Sequence, residues 1–141
     1  MPPVLVDTPV WSLALRRHPR NLGARDRAHV EEWERLVREG LAVLVGPIRQ
    51  EILSGVREKR AWERLRKALR PFPDLPLATE DFERAAQFFN RCRARGVAGS
   101  AIDLLICSVA ARYEVPIYTS DKDFERYASV LPLALHAPPT G

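Results

Sequence analysis

Short apolar segments alternate with helical patterns along almost the whole chain, and this alternation restricts the possible folds more than any other feature. Segments 3–7, 41–45 and 115–119 each have the length and composition of one buried strand. A further short strand is predicted at 75–78, and 131–135 can form a final edge strand. Strands that alternate with helices form parallel sheets covered on both faces. We therefore predict a three-layer α/β fold in which helices flank a central, mainly parallel sheet of four to five strands.

The predicted helices begin and end at residues that favour helix termini. Thr8 followed by Pro9 predicts an N-cap and a first helical position, opening a helix that runs to about Arg17. A second helix has an apolar stripe and stops at Gly40. The remaining predictions are a helix that begins at Gly46-Pro47, a helix over 60–70, a helix over 80–95 capped by Thr79, and a helix from Ser100 to about Tyr113.

The chain is long enough for one domain with an ordinary hydrophobic core. It has 141 residues, of which 46% are hydrophobic. We predict a single domain over residues 1–137 and a disordered tail over 138–141. Cys92 and Cys107 lie in helical patterns, where buried and unreactive thiols are expected. No run approaches the roughly 18 apolar residues of a membrane helix, so we expect a soluble, cytoplasmic protein.

Four acidic residues stand at the end of an apolar segment or near the start of a helical one: Asp7, Glu51, Asp103 and Asp121. Ligands of an open parallel sheet collect outside the carboxyl ends of its strands, so these side chains can converge there. Carboxylates that approach one another raise one another's pKa unless a cation neutralises them. The sequence therefore predicts a site for a divalent metal ion.

Each acid also has an ordinary structural explanation. Asp7 could accept backbone hydrogen bonds at the start of a helix, and Glu51 could be a solvated side chain favoured by the helix dipole. Asp103 follows Ser100 at the spacing of a capping box. Asp121 lies in a turn, where aspartates usually bond their own backbone. The joint occurrence of the four favours a functional site.

The segments VLVDTPVW, IRQEIL, IDLLICSVAAR and IYTSDKDF, taken in this order, resemble the PIN domain, and more closely the VapC toxins of prokaryotic toxin–antitoxin operons. The resemblance extends from Val4 to about Leu135. It implies that the four acids are the catalytic, metal-binding residues, in the order Asp7, Glu51, Asp103 and Asp121. It also implies a fifth metal ligand, Asp123.

Two hydroxyl groups are candidates for orienting a carboxylate or a water at this site, those of Thr8 and Ser120. For Thr8, helix capping is the alternative role. Glu58 is an alternative to Glu51 as the second acid, but its segment is highly charged and we expect it to be exposed.

The resemblance implies an endoribonuclease that depends on Mg²⁺ or Mn²⁺ and cleaves single-stranded regions of tRNA, rRNA or mRNA. It further implies a VapB-like antitoxin and a homodimer. The oxygen-only ligand set fits these ions. The three histidines, His18, His29 and His136, have no ligand spacing and are predicted to be surface residues. Alternatives are a housekeeping RNA-processing PIN nuclease and a non-catalytic PIN-like scaffold that binds RNA.

Other protein classes with acids at strand ends fit less well. A haloacid-dehalogenase-type phosphatase needs a second aspartate where this chain has Pro9, and Lys122 alone does not support a receiver-like phosphoacceptor. Basic residues exceed acidic ones by 22 to 18, which suits nucleic acid. One basic helix face could bind RNA phosphates or simply be solvated; it comprises Arg57, Arg60, Arg64, Arg66, Lys67 and Arg70. Trp33 and Trp62 are expected to anchor a core or an interface, and Trp62 and Leu65 could line an antitoxin groove.

Overall fold

Three short parallel strands form the centre of the fold, in the order β2-β1-β3. The computed structural model describes residues 2–16 and 19–138. The strands are β1 (Val4–Val6), β2 (Ala42–Val43) and β3 (Ile117–Tyr118). All their side chains are buried, as expected for a parallel sheet flanked by helices. The predicted α/β fold with a central parallel sheet is confirmed.

The two edges of the sheet hold single bridges in place of the predicted strands 75–78 and 131–135. At one edge Leu44 bridges to Asp74, and at the other Ile117 bridges to Leu135, both in the parallel sense. Helix α3 begins at Gly46, two residues after Leu44, so no extended partner remains for pairing to continue along the first segment. With these bridges, five parallel segments lie side by side, although only three of them are strands.

The described residues contain seven α-helices and one 3-10 turn. They are α1 (Thr8–Arg16), the 3-10 turn (Pro19–Asn21), α2 (Ala24–Arg38), α3 (Gly46–Leu53), α4 (Lys59–Leu69), α5 (Thr79–Ala94), α6 (Ala101–Tyr113) and the short α7 (Asp123–Ala128). No helix in this part of the chain is long and apolar enough to span a membrane.

Two predicted helix caps are wrong. The Thr8 hydroxyl is buried and has no hydrogen-bond partner among the described residues, so it does not cap α1. Thr79 lies inside α5, and the cap comes from within the helix, where the Asp81 carboxylate accepts a hydrogen bond of 2.8 Å from the Ala78 amide. Ser100 does cap α6, because its Oγ accepts from the Asp103 amide at 3.0 Å.

Helix α6 runs through the core, and residues 104–110 are all buried. A buried polar network fastens it to α5. Arg112 donates two hydrogen bonds of 2.7 Å to the fully buried carboxylate of Asp81, and Ser108 donates to the Asp81 carbonyl oxygen at 2.7 Å. This network fixes the position of the helix that begins beside Asp103. Cys92 and Cys107 are buried free thiols, as predicted.

Two of the three histidines are not surface residues. His29 Nδ1 is 2.7 Å from the hydroxyl of the buried Tyr118, and His136 Nε2 is hydrogen-bonded to the buried carboxylate of Glu32. The segment around Leu135 runs parallel to β3, and the His136 amide donates to the Ile117 carbonyl oxygen at 2.8 Å. His18 lies outside the described residues, as does the predicted tail except for Pro138.

Candidate active site

Asp7 follows β1 directly and lies at the carboxyl end of the sheet. Its backbone amide donates to the Tyr118 carbonyl oxygen at 2.9 Å, and its carbonyl oxygen accepts the first hydrogen bonds of α1. The residue is only 5% exposed. Thr119 Oγ1 donates a hydrogen bond of 2.8 Å to Asp7 Oδ2. This contact follows from the register, because Val6 is aligned with Tyr118 and the next residues of the two strands are neighbours.

Thr119 also organises the turn that carries Asp121. Its hydroxyl oxygen accepts a hydrogen bond of 3.0 Å from the Asp121 amide, and Asp121 Oδ1 accepts one of 2.9 Å from the Asp123 amide. The Thr119 hydroxyl therefore links the Asp7 carboxylate to the turn that carries Asp121. Asp121 Oδ1 also supports the start of α7.

Asp103 lies in the first turn of α6, and its side chain is bonded to a residue of another helix. The buried Tyr127 of α7 donates a hydrogen bond of 2.9 Å from its hydroxyl to Asp103 Oδ2. Ser100 caps the Asp103 amide, but in the described residues the Asp103 carboxylate makes no return bond to the Ser100 amide. The capping box predicted as an alternative role is thus only half formed, and the carboxylate is held for another contact.

Glu51 is exposed on α3 and faces the same region. It lines a shallow surface depression of about 240 Å³ together with Pro47, Gln50, Ser54 and Ile102. Since Ile102 is the neighbour of Asp103, the depression lies between α3 and the start of α6. Glu58, the alternative second acid, instead caps α4, accepting from the amides of Arg60 and Ala61 at 3.1 and 2.7 Å.

The acids form one electrostatic unit. The pKa of Asp7 is raised to about 6, chiefly by burial and to a smaller extent by the charges of Asp103 and Glu51, while hydrogen bonds from Thr119 and the Thr8 amide oppose the rise. Burial also raises the pKa of Asp103, with a smaller contribution from the charges of Asp121 and Asp123, while the Tyr127 hydrogen bond lowers it. The charges of the four predicted acids therefore meet around Asp7 and Asp103.

Comparison with known proteins identifies the fold. A family model described as PIN domain matches residues 4–130. The chain belongs to the PIN domain family. PIN domains are generally nucleases, and PIN nucleases generally use divalent metal ions.

Two solved structures share this PIN fold with the chain. The crystal structure of FitAcB from Neisseria gonorrhoeae is 21% identical, covering 96% of this chain and 97% of that one, with a TM-score of 0.73. The structure of FitAB bound to an IR36 DNA fragment is also 21% identical, covering 96% and 94%, with a TM-score of 0.75. The comparison with curated proteins gives no match.

Not every predicted site residue of this PIN domain reaches the acids. Asp123 is half exposed and pairs with Arg126, although its charge acts on Asp103. Ser120 is exposed, and its hydroxyl makes no contact with the acids in the described part of the chain. Thr8 contributes its backbone amide to Asp7, whereas its hydroxyl has no partner there.

Two residues at the site were missed by sequence reasoning, Thr119 and Tyr127. A signal for Thr119 existed: a hydroxyl residue directly after β3 must neighbour Asp7 once β1 and β3 are paired in register. Tyr127 had no comparable signal, because it lies on a helix of six residues that the apolar pattern does not reveal.

The donor chemistry of this site fits a hard divalent cation. All candidate ligands are carboxylates, and Asp7 is a buried carboxylate with the like charges of Asp103 and Glu51 nearby, which a cation would neutralise. As the side chains stand, no three or more His, Cys, Asp or Glu residues in the described ranges are grouped closely enough to hold an ion. The fit therefore rests on donor type and charge, not on a preformed coordination shell.

Proposed function

We propose that this PIN domain is an Mg²⁺- or Mn²⁺-dependent endoribonuclease that cleaves single-stranded RNA and acts in the cytoplasm as the toxin of a VapBC-type toxin–antitoxin pair. The observation that carries the proposal is the buried carboxylate of Asp7, which faces the charges of Glu51 and Asp103 at the carboxyl end of the sheet. Such a carboxylate is costly to keep in a folded protein and is characteristic of a reactive site.

In this proposal Asp7 and Asp103 are the main ligands of the ion, and Glu51 and Asp121 complete the site. A bound divalent ion supplies an activated water and neutralises charge on the phosphodiester under attack. The protein's own contribution is orientation. Thr119 fixes one oxygen of Asp7, and Tyr127 fixes one oxygen of Asp103, so that each carboxylate keeps its second oxygen for other contacts.

The basic face of α4 is the proposed contact for RNA phosphates. This face comprises six basic residues of α4 and its two ends, and one of them, Arg66, pairs with Glu63 at 2.9 Å. The other five make no ion pair within the described residues and are exposed: Arg57, Arg60, Arg64, Lys67 and Arg70. A net charge of +4 at pH 7 agrees with a polyanionic substrate.

A groove between α1 and α4 is the proposed docking site of the antitoxin. Its volume is about 410 Å³, and it is lined by Leu15, Arg16, Val56, Ala61, Arg64, Leu65 and Ala68. Leu65 belongs to the wall of this groove, and Trp62 does not. One of the similar structures is FitAB bound to a DNA fragment, and this similarity supports an antitoxin partner for this chain.

We also propose a homodimer that covers the surface between α5 and α6. Phe82 and Ile102 are 53% and 41% exposed, which is unusual for large apolar side chains. They border an apolar groove of about 500 Å³ that also includes Phe89. Light scattering should give twice the chain mass for the native protein, and the mass of one chain for Phe82→Arg. A single-chain mass for the native protein would contradict the dimer.

The test of the nuclease is direct. Purified, antitoxin-free protein is incubated with total RNA and Mg²⁺ or Mn²⁺, and new 5′ ends are mapped. We expect discrete cuts that disappear with EDTA and with Asp7→Asn. Full activity of Asp7→Asn would refute the mechanism. RNA binding without any cleavage would favour the scaffold alternative, and cutting that no antitoxin suppresses would favour a housekeeping nuclease.

A further inference from the structure

A further groove, lined by residues of α1 and α2, has no assigned role in the proposed function. Its volume is about 740 Å³, within the range of ligand sites in proteins. One wall comes from α1 with Pro9, Ser12, Leu13 and Arg16, and Ser120 stands at one end. Pro9 is two residues from Asp7, and Ser120 lies between Thr119 and Asp121, so the groove includes residues from the two segments that carry Asp7 and Asp121.

The polar side chains in this groove are not engaged with the part of the protein that the structure describes. Ser12, Asn21, Asp26 and Ser120 make no side-chain hydrogen bond to any described residue, and Arg16 makes no ion pair there. Their donors and acceptors are therefore available to a ligand. The acids next to them differ, because Asp7 and Asp103 are each held by a partner hydroxyl.

We propose that this groove binds one nucleotide of the RNA, next to the phosphate that is cut, and that it selects a base with an exocyclic amino group. The inference rests on the proposed nuclease function and names part of its substrate specificity. Arg16 would contact the phosphate of that nucleotide. Pro9 and Leu13 would support the face of the base, and Asn21 and Asp26 would meet its edge.

The presence of Asp26 distinguishes a base-reading site from a simple phosphate site. A carboxylate repels phosphate, so an acidic residue in a groove that only tracks the RNA backbone would weaken binding. It is favourable where it accepts a hydrogen bond from an amino group, as acidic side chains do from cytosine. Single-stranded RNA offers such edges because its bases are not paired. Uracil has no exocyclic amino group and should bind least well.

The first experiment measures cleavage of short oligoribonucleotides that differ only at the nucleotides flanking the cut. We expect the native protein to cleave substrates with adenine, cytosine or guanine at one flanking position at least about tenfold faster than those with uracil. Asp26→Ala removes the hydrogen-bond acceptor and should reduce this preference about tenfold, since one base contact contributes about that much discrimination. Arg16→Gln should weaken binding equally for all sequences and lower the salt dependence by about one phosphate contact.

Arg93→Gln is the matched control for Arg16→Gln, because Arg93 is exposed on α5 and makes no ion pair among the described residues. It should change neither the preference nor the salt dependence. A native enzyme that cleaves without any preference at the flanking positions, or a preference that Asp26→Ala leaves intact, would overturn the inference while leaving the nuclease function in place.

A second experiment does not depend on cleavage. Nucleoside 5′-monophosphates are titrated into the ¹⁵N-labelled protein in the presence of EDTA. We expect the Asn21 side-chain amide and the Ser120 backbone amide to shift with AMP, CMP and GMP, and less with UMP. Shifts without RNA cleavage would support the nucleotide site and refute the nuclease. Cleavage without shifts in this groove would refute the site.

Discussion

Replacing Asp7 with asparagine should stabilise the metal-free protein at neutral pH. Burial raises the pKa of this carboxyl from 3.8 to about 6. A rise of this size corresponds to roughly 3 kcal/mol that the ionised carboxylate costs the folded state at pH 7. An asparagine side chain carries no charge and occupies nearly the same volume, so the variant should recover up to about this amount. Unfavourable contacts of the new amide group would reduce the gain.

The pH dependence provides the sharper test. A carboxyl group whose pKa is raised on folding contributes stability that is complete below its unfolded pKa, 3.8, and is lost as the pH rises through its folded pKa, about 6. The advantage of Asp7→Asn should therefore be largest at pH 7 and should fall to under about 1 kcal/mol at pH 4. Titrating groups that do not interact with Asp7 are common to both proteins and cancel in this difference.

The assay is urea denaturation of both proteins in EDTA at several pH values, followed by the same series with Mn²⁺. We expect Mn²⁺ to stabilise the native protein and to have little effect on Asp7→Asn, since only the native protein keeps the Asp7 carboxylate as a ligand. Glu83→Gln is the control, because Glu83 is exposed on α5 and its change should matter little at any pH. An Asp7→Asn variant that is less stable than the native protein at pH 7, or an advantage that does not shrink in acid, would refute the reasoning.

Two further predictions concern the support of Asp103. Tyr127→Phe removes one hydroxyl and its 2.9 Å bond to Asp103. It should cost about 1 kcal/mol of stability and lower kcat more than it raises KM. The control is Tyr113→Phe, which loses a bond to the Pro76 carbonyl oxygen and should cost similar stability but leave kcat unchanged. Equal kinetics of the two variants would contradict a positioning role. Gly99→Ala would place a Cβ 2.4 Å from a Leu104 methyl carbon and 3.0 Å from the Tyr127 ring, so urea denaturation should show a loss of about 1–3 kcal/mol. Gly46→Ala is the control, because Gly46 has open space around it. An unaffected Gly99→Ala would show that the Leu104 and Tyr127 side chains can move aside.

Local signals were enough to predict the elements that carry the acids. The apolar run that ends at Asp7 and the Ser100 cap before Asp103 are each written within a few residues, and both elements form as predicted. The edges of the sheet were predicted less well. An apolar segment such as 131–135 becomes a strand only if a neighbour pairs along its length, and here the pairing is limited to one bridge, at Leu135.

The partners of the acids could not be read from local sequence, because they come from distant parts of the chain. Thr119 meets Asp7 across 112 positions, whereas its neighbour Ser120, which was chosen from the turn composition, is exposed. His136 was predicted to be on the surface, and it is partly buried because the segment around Leu135 pairs with β3. Each of these errors depends on strand pairing and register, which composition alone does not specify.

The acids of this PIN domain differ in how far the fold itself explains them. Asp121 supports the start of α7 through the Asp123 amide, and Asp123 pairs with Arg126, so both have a structural use without any ion. Asp7 has none that offsets its cost: its side chain is buried beside like charges, and its raised pKa means that ionisation works against folding. Asp103 is in the same position, with a neutral hydroxyl as its partner. The two acids that the fold justifies least are therefore the ones whose retention a cation explains best, an argument that is independent of any family resemblance.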